Sequence, residues 1–537
     1  MPGEYRPLAA AAAVGTEVDT AAPSGDGSGT PALPPRSAWR DPLTWVIAAL
    51  VLAGYFVISL FRVLRLDPAS YDLAIFTEYV KQMSHLHAPV VDALAPGFNE
   101  LGDHFQVAVA VLAPFFRVFP SPATLLFFQA LACAISVFPV VNAGFALTGR
   151  ATGRLIGFGY GFSWGLQQLI YFDFHEVALA VPLLAFSLSA LVRRRPAAAI
   201  GWAVPLVFVK EDQGFTVAAI GLLLAAAALF PRLLPGPSGS AEPGSAGSGS
   251  AGPGGLSLRG RLGSGRTQLL GGLFLVGWGL FWSWFAISVI IPHFNPAHVY
   301  GFWKNGGVVG GGQPFSVTGL LAQTAHDWPV KLETVGLLLL PTAFTALGSP
   351  VALVALPILA LRFMSTYPVY WGTGWHYNAT LMPVLFIAAT DALGRWSRPP
   401  ARARPLAGLV ARHGGTLIAG ATVALAIHFP VSGLWHASTF RIDRAHLAAA
   451  SAAMAVVPDG ATVQTNLDLL APLAARTDAF WIGTPGNPAT RYIVFDDVDT
   501  GYTAPITNVP GFIAMLYPHD GYVQVFQRDG VYVYRRG

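Results

Sequence analysis

Apolar residues in this chain come in long unbroken runs, many of them near the roughly 20 residues of helix that span a bilayer core. The pattern predicts about eleven membrane-spanning helices, at 43–62, 124–148, 153–171, 176–192, 197–209, 214–230, 268–291, 335–347, 350–362, 376–393 and 415–433. A further apolar stretch, 105–119, is too short to span and is expected to lie as an interfacial helix in the long loop 63–121. After residue 436 the long runs stop. There, 461–467, 492–498, 522–527 and 531–534 read as strands, 445–456 and 468–475 read as helices, and Arg528-Asp529-Gly530 reads as a hairpin turn.

Composition agrees with a membrane protein. Hydrophobic residues make up 53% and charged residues 11% of the chain, against about 25% charged in soluble domains, and mean hydropathy is +0.53. A soluble enzyme, a fibrous protein and a nucleic-acid binder are excluded, and the net charge of +4 reflects basic membrane loops. The one cysteine, Cys133, sits inside an apolar run and founds no disulfide framework. Lysine occurs only at positions 81, 210, 304 and 331, and with so much Ala and Gly this is the composition of a GC-rich bacterial genome.

The arginines set an orientation. With the N-terminus inside, the cytoplasmic loops hold Arg150 and Arg154, then Arg193 to Arg195, then Arg232, Arg259, Arg261 and Arg266, then Arg395, Arg398, Arg402, Arg404 and Arg412. The outer side keeps Arg62, Arg65, Lys81, Arg117, Lys210, Lys304, Lys331 and Arg362. One assignment therefore satisfies the positive-inside rule in every inner loop. The expected organisation is a disordered cytoplasmic tail (1–38), a transmembrane domain (39–436) with a flexible cytoplasmic loop (234–262), and an extracytoplasmic α/β domain (437–537). No small-residue cleavage site follows the first apolar run, so that run is expected to be a signal anchor.

With this topology the polar clusters fall on the outer face. Asp72, behind a Ser70 cap, either complements a helix N-terminus or serves as a base at the membrane surface. Asp173, His175 and Glu176 form an Asp-x-His-Glu turn whose ligands suit Mn²⁺ or Zn²⁺, a sugar pocket or an acid/base pair. No cofactor follows with certainty, and a divalent metal is the one these residues bring to mind. Lys210, Glu211 and Asp212 interrupt apolar sequence. At mid-membrane three charges would cost on the order of 8 kcal/mol, so the preceding segment, about 18 Å of helix, must end at a hydrated cavity. His376 follows a Trp-rich stretch, and His293, His298 and Trp303 occupy another outer loop.

Tyr71-Asp72-Leu73-Ala74-Ile75-Phe76, Gly102-Asp103-His104-Phe105, Phe172-Asp173-Phe174-His175-Glu176, Lys210-Glu211-Asp212 and His376-Tyr377 resemble the blocks of a family of uncharacterised bacterial membrane proteins grouped with the GT-C glycosyltransferases. The resemblance covers most of 41–537. It implies a GT-C-like α-helical polytopic fold and transfer of a sugar from a polyprenyl-phosphate donor to an extracytoplasmic glycan, lipid or protein. Asp72 would be the base of an inverting displacement, with Asp173 and Glu176 as further catalytic candidates. Lys81, Lys210 and Arg362 are the cations for the leaving phosphate, and Asp103, His104, His175, Glu211, Asp212 and His376 are expected around the substrate. GT-C first loops usually carry two adjacent acids; here Asp72 stands alone, with Glu78 six residues on, and metal dependence does not follow.

Two other classes use the same residues differently. In a transporter or flippase the charges would line a path, normally with inverted repeats that this sequence lacks. In a non-catalytic scaffold the outer domain would bind an envelope partner.

Overall fold

The structure, a computed structural model, describes residues 37–234, 258–301, 317–399, 402, 404–498 and 506–537. The expected N-terminal tail lies almost wholly outside the described residues, as do most of the 234–262 loop, Trp303 and Lys304. The helix Leu258–Phe285 overlaps the end of that loop.

Each of the eleven apolar segments contains helix. Four helices are long and apolar enough to cross a membrane: Pro42–Leu64, Pro122–Leu147, Gly265–Phe294 and Pro405–Ala426. The others are shorter or broken. Segment 153–171 divides into Arg150–Gly161 and Trp164–Tyr171. At the break, the Tyr55 hydroxyl donates to Gly161 O (2.7 Å) and Gln167 Nε2 to Phe162 O (2.6 Å). Such replacement partners are what make a broken helix tolerable at membrane depth. Segment 197–209 tightens from α-helix (Pro196–Ala203) to 3-10 helix (Val204–Phe208) and so ends at Lys210, as the cost of burying that residue requires.

Glycines set one close helix contact that matters for the site. Helix Gln213–Leu229 runs against Leu258–Phe285, and a Cβ on Gly214 would lie 2.2 Å from Gly279 O, one on Gly221 2.5 Å from Gly272 O. Small residues here let the backbones touch. The approach brings Ser283 Oγ to Glu211 O (2.6 Å) and anchors the charged turn.

Basic loops meet one another. Buried Asp41 accepts from Arg150 (2.9 Å) and Arg154 (2.5 Å), Arg194 donates to Pro231 O (2.5 Å), and Arg395 pairs with Asp391 (2.7 Å) and donates to Leu233 O.

The C-terminal residues form a five-stranded sheet of order β2-β1-β3-β5-β4. β1 (Thr462–Thr465) lies parallel between β2 (Asp478–Trp481) and β3 (Tyr492–Asp496), and β5 (Val531–Arg536) joins β3 to β4 (Tyr522–Arg528), antiparallel to both. The terminal turn has positive φ at Asp529 and Gly530, the Asp-Gly hairpin read from the sequence. β2 and the helix Val509–Leu516 escaped prediction, being four and eight residues long.

This domain shares a core with the long outer loop. Leu73, Phe76, Val80, Phe116 and Phe174 pack in one cluster with Leu469, Leu470, Leu473, Val494 and Val533. The helix Asp72–Ser84 is therefore buried on both sides from Leu73 through Lys81. Lys81 departs from expectation. Its ammonium donates to Thr477 O (2.5 Å) and lies 3.5 Å from Glu78 and 3.6 Å from Asp478, so it fastens the C-terminal domain, and it lines neither of the cavities described below.

Burial pushes the Glu78 carboxyl up to about 8, against the pull of Lys81 and of the Ala93 amide (3.0 Å). Between the ordinary carboxylate range and that value the folded state holds a proton that the unfolded chain gives up, so stability falls as pH rises through this window. Purified protein should melt at a higher temperature at pH 5.5 than at pH 8.5, and Glu78→Gln should flatten the difference. An unchanged pH dependence in Glu78→Gln would place the titration on another group.

Candidate functional site

Asp72 is the first residue of its helix. Ser70 Oγ donates to its carboxylate (2.6 Å) and accepts from its backbone amide (3.1 Å). The turn in front is held from below. Asp173, in the left-handed region at φ 61°, accepts from the amides of Ala69 (2.7 Å) and Ser70 (3.1 Å). Asp173 is thus a buried support and not a group facing substrate. Gln129, an amide inside helix Pro122–Leu147, in turn donates to Asp173 O (2.6 Å) and accepts from the His175 amide (2.9 Å).

His175 points its Nε2 at Asp72, 3.6 Å from Oδ2. Its ring stacks on His376, centroids 3.6 Å apart at 22°, with Phe172 and Phe76 beside it. Both imidazoles are buried and neither Nδ1 has a partner. Glu176 pairs with Lys210 at 2.7 Å. Glu211 accepts from the Phe105 amide (3.1 Å) and the Tyr300 hydroxyl (2.8 Å), and pairs with His104 Nδ1 (2.8 Å). Burial opposes charge on His104, but Glu211 outweighs it and lifts the imidazole to about 10. Burial likewise works to raise the Asp72 carboxyl, yet His175 and Ser70 outweigh it and hold the group below the usual range. Asp72 is therefore ionised, with its side chain 28% exposed.

Two adjoining cavities share this wall. The first, about 1290 Å³, is lined by Asp72, Asp103, His104, His175, Glu176, Lys210 and His376, with Glu100, Gln106 and several aromatics. The second, about 800 Å³, shares His104, Lys210, Tyr370, His376 and Tyr377 and adds Glu211, Asp212 and Arg362 among Val177, Ile287, Ile358 and Leu361. Arg362 is buried and donates to neutral acceptors, Tyr370 O (2.8 Å), Asn378 Oδ1 (2.8 Å) and Gly372 O (3.1 Å). Among the described residues no carboxylate comes within ion-pair distance of it.

Of the residues read from the sequence, seven thus meet in the first cavity, and Glu211, Asp212 and Arg362 border the second. Asp173 lies beneath the site and Lys81 at the domain junction. His293 and His298 line neither cavity. The metal expectation also changes. Asp173 is spent on backbone amides and Glu176 on Lys210, so neither joins His175 around an ion. The carboxylates that do approach one another are Glu78, Asp92 and Asp478. The Lys81 ammonium already lies beside two of them, so the cluster carries its own cation. Sequence reading missed Glu100, Gln106, Gln129 and Tyr370. Gln129 was the findable one, an amide inside an apolar helix.

A bundle of broken helices around a polar cavity, with a long loop after its first helix and a small C-terminal sheet, defines a helical membrane protein. The chain belongs to the DUF2079 family of predicted membrane proteins, whose family model matches residues 62–494. In fold it is similar to ArnT from Cupriavidus metallidurans bound to undecaprenyl phosphate, with a TM-score of 0.52 and 14% identity over 91% of this chain and 97% of that one. The apo state of the same protein gives a TM-score of 0.48 at 15% identity, again over 91% and 97%. The Archaeoglobus fulgidus oligosaccharyltransferase in complex with Zn and sulfate gives 0.37 at 15% identity, over 90% of this chain and 73% of that one. At these identities the likeness is one of fold. No curated protein matches the sequence.

Replacing Gln129 by Leu should leave the Asp173 carbonyl and the His175 amide buried without partners, at about 1–3 kcal/mol for each group. Thermal melting should fall accordingly; a melt like that of the wild type would mean that the 173–175 turn does not depend on Gln129.

Proposed function

We propose that this protein is a GT-C-type glycosyltransferase that moves a sugar from a polyprenyl-phosphate carrier to an acceptor on the extracytoplasmic side. The observation that carries the reading is the pair of adjoining cavities. One presents an ionised, partly exposed carboxylate, Asp72; the other is largely apolar and presents a buried guanidinium, Arg362, with no carboxylate within ion-pair distance among the described residues. A lipid phosphate needs a cation and an apolar approach, and an acceptor hydroxyl needs a base. The fold likeness to ArnT, which has been seen with undecaprenyl phosphate, supports the same choice of carrier.

In this reading the donor phosphate lies against Arg362, with the sugar near the wall formed by His376, Tyr377 and Lys210. The acceptor oxygen attacks the anomeric carbon from the Asp72 side. The bond from that carbon to the phosphate oxygen breaks, the lipid phosphate leaves, and the acceptor proton passes to Asp72. Lys210 contributes less charge than its type implies, because Glu176 neutralises it. No step here requires a metal.

The orientation belongs to the same proposal, together with eleven spans, a cytoplasmic N-terminus and an extracytoplasmic C-terminal domain. It is supported by the contacts among Asp41, Arg150 and Arg154 and among Arg194, Pro231, Leu233 and Arg395, which gather the basic loops. Cysteines placed at Ser397 and Ser451 test it, with buried Cys133 as a silent background. An impermeant thiol reagent applied outside should label Ser451→Cys and spare Ser397→Cys. The reverse pattern would overturn the orientation.

For the chemistry, Asp72→Asn should lower kcat by about 10²–10⁴-fold while undecaprenyl phosphate binding stays near wild type. Arg362→Ala should weaken that binding by about tenfold or more, the loss of a charged hydrogen bond being about 1.5–3 kcal/mol. Full turnover in Asp72→Asn would remove the base and favour a transporter. Unchanged lipid binding in Arg362→Ala would remove the phosphate site.

A further inference from the structure

Two buried acceptor atoms in the first cavity have no part in the displacement. Glu100 opens a 3-10 turn, Glu100–Gly102, whose cap is Asn99, with Oδ1 accepting from the Leu101 amide (3.0 Å). Its side chain is buried, and Oε1 accepts from Gln106 Nε2 (3.0 Å). Oε2 has no partner. Gln106 is 1% exposed, and its Oε1 has none either. Both side chains line the first cavity, alongside Asp72 and Asp103. Tyr79, whose hydroxyl is also unpartnered, makes no hydrogen bond to Glu100 and does not line the cavity. Buried polar atoms are normally paired, and a lasting exception calls for an explanation.

We propose that Glu100 and Gln106 form a sugar-hydroxyl subsite, two neighbouring polar groups that bind adjacent hydroxyls of an uncharged sugar ring in the first cavity. The inference rests on the glycosyltransferase reading and deepens it by naming the groups that recognise the sugar. Two competing ligands fit less well. A metal ion would draw carboxylates together, but among the described residues the group close enough for one ion is Glu78, Asp92 and Asp478, which does not include Glu100. An ammonium group would favour an ionised Glu100. Burial, with Asp103 adding to it, pushes that carboxyl well above the usual range and favours its neutral form. A neutral carboxyl both donates and accepts, and a hydroxyl does the same. Phe76, Phe172 and Trp375 supply apolar surface for the faces of the ring. A site that hydrogen-bonds a hydroxyl also rejects the analogue lacking it, because its own buried groups are then left bare.

Saturation-transfer NMR on the full chain in nanodiscs tests this, with methyl glucoside, methyl mannoside, methyl galactoside, glucosamine and Mn²⁺ as probes. At least one neutral glycoside should bind the wild type. Glu100→Leu and Gln106→Leu should each weaken it at least tenfold. Should the leucine variants fail to fold, Gln106→Met, which keeps the length and removes both hydrogen-bonding atoms, carries the same expectation. Competition by an undecaprenyl-phosphate hexose would assign the subsite to the donor's sugar, and simultaneous binding would assign it to the acceptor. Glycoside binding that is absent from the wild type, or equal in all folded variants, would overturn the proposal, as would tighter binding of glucosamine or Mn²⁺ than of every neutral glycoside. Undecaprenyl phosphate binding, measured on the same preparation, separates the two readings: its absence beside Glu100-dependent sugar binding would sink the transferase and keep the subsite.

Discussion

A charge inside a low-dielectric protein must find a partner or pay several kcal/mol, and the cavity end of this molecule is organised by that demand. The Lys210–Glu176 pair joins the turn after Phe208 to the turn after Tyr171, and Glu211 joins the same turn to the outer loop through His104 and the Phe105 amide. Three segments far apart in sequence are thereby held around one cavity. The short 3-10 ending before Lys210 and the glycine contact behind Glu211 are the backbone's share of the same solution. Because Lys210 is committed to Glu176, Arg362 is, among the described residues lining the two cavities, a buried cation with no carboxylate within ion-pair distance, and the geometry separates two basic residues in a way that residue type alone does not.

How much of this could be read beforehand depends on the range of the signal. Apolar runs are local, so segment positions followed from the pattern, and so did the Asp-Gly hairpin. The five polar blocks also follow locally, and all five supply walls of the first cavity. Roles do not follow locally. Asp173 and Asp72 are the same residue type, but one faces two backbone amides and the other a cavity, a difference set by a turn with φ 61° and by Gln129 on another helix. Lys81 resembled a substrate cation until the C-terminal domain supplied Thr477 and Asp478 as its partners. Glu100 lies only two residues before a recognised block, but nothing in its neighbourhood reveals that one of its oxygens is unpaired.

The C-terminal domain is part of the site's support and not an appendage. Its helix Leu467–Ala474 packs on the Asp72 helix, and Trp481 stacks on Tyr71 at 5.3 Å, immediately before Asp72. Burial of the Asp72 helix on both faces removes the freedom an interfacial helix would have. A carboxylate on a helix sliding at the membrane surface could not keep its distance to a buried imidazole; one clamped between two domains can.

That clamp has to balance two opposing requirements. Ser70, the helix N-terminus and His175 all favour the ionised form of Asp72, and each contact that does so also lowers its affinity for a proton. A base held too tightly accepts nothing. At 3.6 Å the His175 nitrogen lies beyond the 2.7 Å of the Lys210–Glu176 pair, so it attracts the carboxylate without a close hydrogen bond that would have to break when the proton arrives. The aromatic slot of Phe76, Phe172 and His376 fixes the imidazole at that separation. Closer approach would make Asp72 a structural ion like Glu176, and greater distance would leave it to the desolvation that raises Glu78. The stacked histidine therefore helps to keep the carboxylate ionised and, in the proposed reading, still usable as a base.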